Sequence, residues 1–166
     1  MELLTEYQIT EVAEFNQFCE EFERYDLSVL SEGEYYMLMD DAKTKFTNAI
    51  KSIKIKAQQK TTGIRKGLTA TMEVLRAAME KAKTADKKAL IKNKMQAAKD
   101  GAKNKIQAIK DWAETAIQRL KDKLFDMQAR GRQIGKQAKA AKAAAKKDKL
   151  LAKAAKKAGK VAKAVA

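Results

Sequence analysis

Lys139, Lys142, Lys146, Lys149, Lys153, Lys156, Lys160 and Lys163 recur at alternating steps of three and four. That is the period of one helix face, so a helix here carries an unbroken row of ammonium groups. The chemistry such a row can do is charge neutralisation. Lysine is a flexible point charge suited to phosphate oxygens, whereas base-edge readout favours arginine, asparagine or glutamine in fixed geometry. The opposite face holds Leu151, Ala154, Ala155, Ala158, Val161, Ala162 and Val165. Alanine buries little area and adjacent lysines repel, so this helix gains little by folding alone, and a polyanion relieves the repulsion. Arg130, Arg132 and Lys136 precede the row and complete the candidate nucleic-acid-binding set.

Other chemistry is poorly provided for. With no histidine and one cysteine, the chain offers no His-ligated metal site, no Ser-His or Cys-His nucleophile system and no zinc finger. Asp40 and Asp41 are adjacent, and neighbours on a helix do not face each other, so they do not read as a metal pair. Gly131 to Lys136 (GRQIGK) is similar to a phosphate loop. It has three residues between its glycines instead of four, and Gln137 where Ser or Thr belongs. The sequence therefore points to a non-enzyme without cofactor or metal. Cys19 lies among Phe15, Phe18 and Phe22, the setting of a packed thiol, and a lone cysteine fits a reducing compartment.

The net charge of +15 conceals a sharp division. Residues 1–42 hold twelve acids against Arg24 alone, while residues 43–166 hold 35 bases against nine acids. The last 37 residues carry thirteen bases against Asp148. Such asymmetry implies an acidic head, a basic body and a polyanionic partner. No run of 18 apolar residues suggests a membrane span, and the acidic N-terminus does not read as a secretory signal. A cytoplasmic, nucleoid-associated location follows as the expectation.

The elements that must position these residues are helices. The chain lacks proline and is rich in alanine, lysine, glutamate, glutamine and methionine. The fold class expected is all-α: an elongated helical hairpin or coiled-coil bundle with a low-complexity basic C-terminal tail. Three regions follow. Residues 1–32 form an acidic amphipathic segment with apolar residues at Leu4, Tyr7 or Ile9, Val12, Phe15, Phe18 or Cys19, and Phe22, capped by Thr5 or Thr10. Asp26 to Gly33 reads as a connection.

Residues 33–129 form the body. One helix is expected from about Glu34 to Gln59 on Tyr36, Leu38, Met39, Ala42, Phe46, Ala49, Ile50, Ile53 and Ala57. A break follows at Thr61-Thr62-Gly63. Heptad-like spacing then runs through Leu68, Met72, Leu75, Met79 and Ala82, a turn falls at Lys83 to Asp86, and a second apolar stripe runs from Ile91 to Met127. Trp112 and Phe125 lie near that stripe and read as core. The heptads imply self-association. Residues 130–166 are a glycine hinge (RGRQIG) and the lysine–alanine tail, predicted to be disordered or frayed until bound.

Two functions compete for the basic region. Sequence-independent binding and condensation of duplex DNA fits a tail of lysines without aromatics, since single-strand platforms need stacking rings. An anionic membrane surface fits a lysine face opposite Leu151, Val161 and Val165, with shallow insertion because the rest is alanine. A coiled-coil structural protein with a solubilising tail is the third possibility.

The tail (AKAAKAAAKKDKLLAKAAKKAGKVAKAVA) resembles the lysine–alanine tails of linker histones and bacterial histone-like proteins, though without proline and with no winged-helix or HU-like domain before it. The whole layout resembles internal head and prohead-core proteins of T-even-type tailed phages. That resemblance implies an acidic N-terminal segment directing the protein to a scaffold or capsid partner. It also implies cleavage after Glu in a Leu/Ile-x-Glu motif, leaving a basic product with packaged DNA. Leu4-Thr5-Glu6, Ile9-Thr10-Glu11 and Leu30-Ser31-Glu32 match the motif, with Glu11 and Glu32 the candidate processing residues. An acidic head facing a basic tail also raises the expectation that the head masks the tail.

Overall fold

The structure, a computed structural model, describes residues 9–27 and 29–165, with side chains except at residue 138 and residues 154–165. Three helices account for nearly all of it: α1 (Thr10–Arg24), α2 (Glu32–Lys81) and α3 (Ala85–Val165). Among the described residues there is no strand, and the all-α hairpin architecture is present. The expected Leu4, Tyr7, Thr5 and Glu6 lie outside the described residues.

α2 and α3 form a long antiparallel hairpin about the turn at residues 82–84, where the Thr84 hydroxyl accepts from the Lys87 N–H at 3.3 Å. At 1.5 Å per residue, the 50 residues of α2 span about 75 Å and the 81 of α3 about 120 Å. α3 therefore outruns its partner. Tyr35, near the start of α2, packs on Gly131, Ile134 still meets the core one turn later, and α3 extends past the hairpin beyond Gly135.

α1 lies over the open end of the hairpin and makes it a three-helix collar. Its Val12, Phe15, Phe18, Cys19 and Phe22 are buried together with Ile9 and Leu27. They pack with Met39, Ala42, Ala49 and Ile53 of α2 and Ala113, Ala116, Leu120 and Met127 of α3. The Phe15 and Phe46 rings sit 5.7 Å apart in a tilted pair. Each fully buried phenylalanine contributes roughly 2–3 kcal/mol by area. Asn16, the buried polar side chain of this core, accepts from Lys123 Nζ at 2.6 Å. Beyond the collar the two-helix arm has a thinner seam, in which Met72 and Ala102 reach burial.

Several local expectations change. Thr10 does not cap α1; Ile9 occupies the N-cap without a side-chain bond. α2 starts earlier than expected, because Ser31 and Glu34 form a capping box. The Ser31 N–H and hydroxyl donate to Glu34 Oε2 at 2.8 and 2.7 Å, and these bonds hold the Glu34 carboxyl below its usual range. The break expected at Thr61-Thr62-Gly63 is absent: α2 runs through it. A mid-helix glycine costs about 1 kcal/mol against alanine, too little to outweigh the helical residues on both sides.

The hinge expected at Arg130 to Gly135 is likewise absent, and α3 continues as helix through the tail that was expected to be disordered. Gly131 serves a close approach instead. A Cβ there would collide with the Tyr35 ring, while one at Gly135 would meet nothing within 4 Å. Tyr36 and Phe125, both expected in the core, are exposed at 59% and 62%, and Tyr35 takes the inward position. Trp112 is half-buried against the core, as expected. The heptad seam expected to serve self-association is shared between α2 and α3.

The two glycines should therefore respond oppositely to alanine. Gly135→Ala is expected to raise stability by about 0.5–1 kcal/mol through helix propensity. Gly131→Ala must displace Tyr35 and should end at least about 1 kcal/mol less stable than Gly135→Ala in urea melts. In a Tyr35→Ala background, where the ring is gone, Gly131→Ala should no longer be destabilising.

Candidate nucleic-acid interface

α3 holds the lysine stripe as one helix face extending beyond the collar. Lys136, Lys139, Lys142, Lys146, Lys149 and Lys153 are exposed, and none makes an ion pair among the described residues. The side chains of Lys156, Lys160 and Lys163 lie outside the described ones. The first stripe lysines lie beside the start of α2: Lys139 and Lys142 line a cleft of about 180 Å³ with Leu27, Leu30, Tyr35 and Ile134. Exposed ammonium groups along one helix face have the spacing of an array for phosphate contacts, each of which would release condensed counterions.

The two arginines have other commitments. Arg130 Nη1 donates to the Glu23 carbonyl at 2.9 Å, one of the orphan acceptors at the C-terminal end of α1. Arg130 thus ties α1 to α3 and is not a free cation. The Arg132 guanidinium lies 5.8 Å from the exposed Phe125 ring centroid, seven residues and two turns earlier. It remains exposed, so it can add to the array.

The head meets the base of the stripe at Leu27, Leu30 and Glu32, in the cleft with Lys139 and Lys142. α1 packs at the level of Lys123, Met127 and Arg130, and it pairs with none of the described stripe lysines. The described part of the head is built into the core, while Glu2 and Glu6 and the side chains of Lys156, Lys160 and Lys163 lie outside the described ones. Of the two candidate processing residues, Glu11 sits in the first turn of α1 beside fully buried Val12, while Glu32 is the exposed first residue of α2. A cut after Glu32 would divide Ser31 from Glu34 and so destroy the capping box.

A second set of cations was missed. Lys88, Lys92, Lys99, Lys103 and Lys110 are exposed on α3 within the arm, at steps of four, seven, four and seven. At about 100° per residue they fall within an arc of about 60°. The signal that finds them is an eleven-residue recurrence, Lys88, Lys99, Lys110, Lys121 and Arg132, three turns of helix per repeat. Glutamines at 96 and 107 interrupt the row, and that hides it from a search for consecutive lysines.

Among the described residues no group of three or more His, Cys, Asp or Glu could hold a metal ion, and no helix is long and apolar enough to cross a membrane. The chain matches no family model, no curated protein and no solved structure.

Cys19 is the one thiol, and it is buried with its Sγ 3.6 Å from Met127 Sδ. Burial pushes its pKa from 9.0 up to about 11, against a smaller opposing pull from Lys123. At pH 8 its alkylation by iodoacetamide should be at least about 100-fold slower in the native protein than in urea, because thiolate is the nucleophile. The unfolded thiol ionises first, so its contribution to stability is present below pH 9 and is lost as pH rises towards about 11. In Cys19→Ala that alkaline loss should shrink.

Proposed function

We propose that this protein is a non-enzymatic, sequence-independent DNA-binding protein that neutralises and condenses duplex DNA through the lysine face of its C-terminal helix. One observation carries the reading: Lys136, Lys139, Lys142, Lys146, Lys149 and Lys153 are exposed, and without ion pairs among the described residues, on one helix that projects past the folded collar. The composition supports a phosphate partner over base readout, since the row is lysine throughout and residues 130–166 contain no aromatic side chain. The charge layout fits an internal head or scaffold-core protein packaged with DNA in a phage particle. There the acidic collar helix would meet a scaffold or capsid partner, and Glu32 would be the accessible processing residue. Self-association of the arm is part of this reading, supported by Val74 and Leu90, which are 69% and 56% exposed.

A second reading, binding to an anionic membrane surface, draws on Leu150 and Leu151, which are exposed at 61% and 60% beside the stripe. The alanine-rich remainder offers little area for insertion, so duplex DNA is favoured.

Binding to unrelated duplexes across 50–300 mM salt, with anionic vesicles as competitor, separates the two. If about six to ten phosphates are neutralised, log K should fall against log salt with a slope of about −5 to −9, equally for all sequences. Replacing Lys139, Lys142, Lys146 and Lys149 with glutamine should make that slope shallower by about 3–4. Displacement from DNA by phosphatidylserine vesicles would transfer the function to the membrane surface.

A further inference from the structure

Folding rearranges the charge of this chain. In sequence order the protein reads acidic head, basic body, basic tail. In space, α1 returns to the middle of α3 and the order becomes basic, acidic, basic. The two-helix arm, residues 51–110, holds seventeen bases against four acids, or +13. The collar, residues 9–50 with 111–134, holds fourteen acids against eight bases, or −6. The extension, residues 135–166, holds eleven bases against Asp148, or +10.

The two cationic ends also share a side of α3. At about 100° per residue, the arm row (Lys88 to Lys110) and the extension row (Lys139 to Lys153) fall within a common arc of about 80°. Between them the same arc holds Ala113, Ile117, Leu124, Gln128, Gly131 and Gly135, with the exposed Lys121 at its edge. Ile117 and Leu124 pack against the core, and Gly131 lies under Tyr35 of α2. The collar therefore stands across the line joining the two rows. From Lys99 to Lys146 is 47 residues of continuous helix, about 70 Å, far beyond the screening length of about 8 Å at physiological salt. The rows act as separate sites. DNA is stiff over this distance, with a persistence length of about 500 Å, so one straight duplex cannot lie on both rows past the acidic collar.

We propose that the arm is a second duplex-binding site, and that one molecule bridges two DNA segments, one on the arm row and one on the extension row. Bridging presupposes the duplex binding proposed above. It assigns to Lys88, Lys92, Lys99, Lys103 and Lys110 a role distinct from that of the stripe, and it explains how a rod with an acidic middle condenses DNA: by cross-linking segments, each held by its own end.

The test uses the full-length protein with a bead-bound duplex and a second, labelled duplex of unrelated sequence. Binding of a single duplex in solution is measured in parallel. The unmodified protein should capture the labelled duplex on the beads. A variant with Lys88→Gln, Lys92→Gln, Lys99→Gln, Lys103→Gln and Lys110→Gln should still bind a single duplex through the extension but capture at least about tenfold less of the second one. A variant with Lys139→Gln, Lys142→Gln, Lys146→Gln, Lys149→Gln and Lys153→Gln should show the same separation through the arm. All ten positions are exposed, so the fold is retained and circular dichroism checks it. Full capture by the arm variant would overturn the arm as a site and assign bridging to association between molecules. Tight single-duplex binding with no capture by the unmodified protein would overturn bridging itself. Absence of single-duplex binding would instead overturn the function on which bridging depends.

Discussion

The seating of α1 on the open end of the α2–α3 hairpin is the interaction on which everything else depends. Two alanine–lysine helices share only a narrow seam. In the arm that seam buries few residues well, Met72 and Ala102 among them, and it must act against the repulsion of seventeen bases. The collar is different. Phe15, Phe22, Val12 and Ile9 enter the groove that Ala42, Ala49, Ala113 and Ala116 keep shallow, and all fall to 8% exposure or less. Small residues on the hairpin and large ones on α1 are the two halves of one packing solution. Removing α1 would leave the alanine groove without the rings that fill it.

That arrangement gives the acidic residues a structural task. Five glutamates of α1 ride on the outer side of a helix whose inner side is aromatic, and they concentrate negative charge where the protein is thickest. The carboxylates thereby offset repulsion in a chain of net charge +15 without occupying the stripe lysines. Arg130 and Lys123 show the same division of labour from the other side. Both are cations, but one satisfies a helix-end carbonyl and the other a buried amide. Position in the bundle, not residue type, decides which bases are free for a partner.

Much of this was legible in the chain. Zero proline and a predominance of helix formers dictate helix over nearly its whole length, and steps of three and four identified the buried faces of α1 and α3 down to Cys19, Ala113 and Met127. The stripe from Lys139 onward needed nothing beyond counting. Helix boundaries were legible where a cap states them, as with Ser31 and Glu34, and illegible where glycine was read as a break. Gly63, Gly67, Gly101 and Gly135 pass inside helices because each costs little beside the neighbours that favour continuation. Tyr35 and Tyr36 could not be ordered by period alone: they are adjacent, and Gly131 on the facing helix decides which ring turns inward.

Sequence by itself determined the helices, their apolar stripes and the number and spacing of lysines, because these depend on local propensity and on a period of 3.6 residues. The turn near residue 83 was legible too, but the tertiary structure alone decided that α1 returns to the level of Met127 and that α3 outruns its partner beyond Gly135. Those outcomes turn on contacts more than a hundred residues apart in the chain, as between Asn16 and Lys123, and no local spacing encodes them. The spatial order of charge follows from them: basic arm, acidic collar, basic extension, produced from a chain written in a different order.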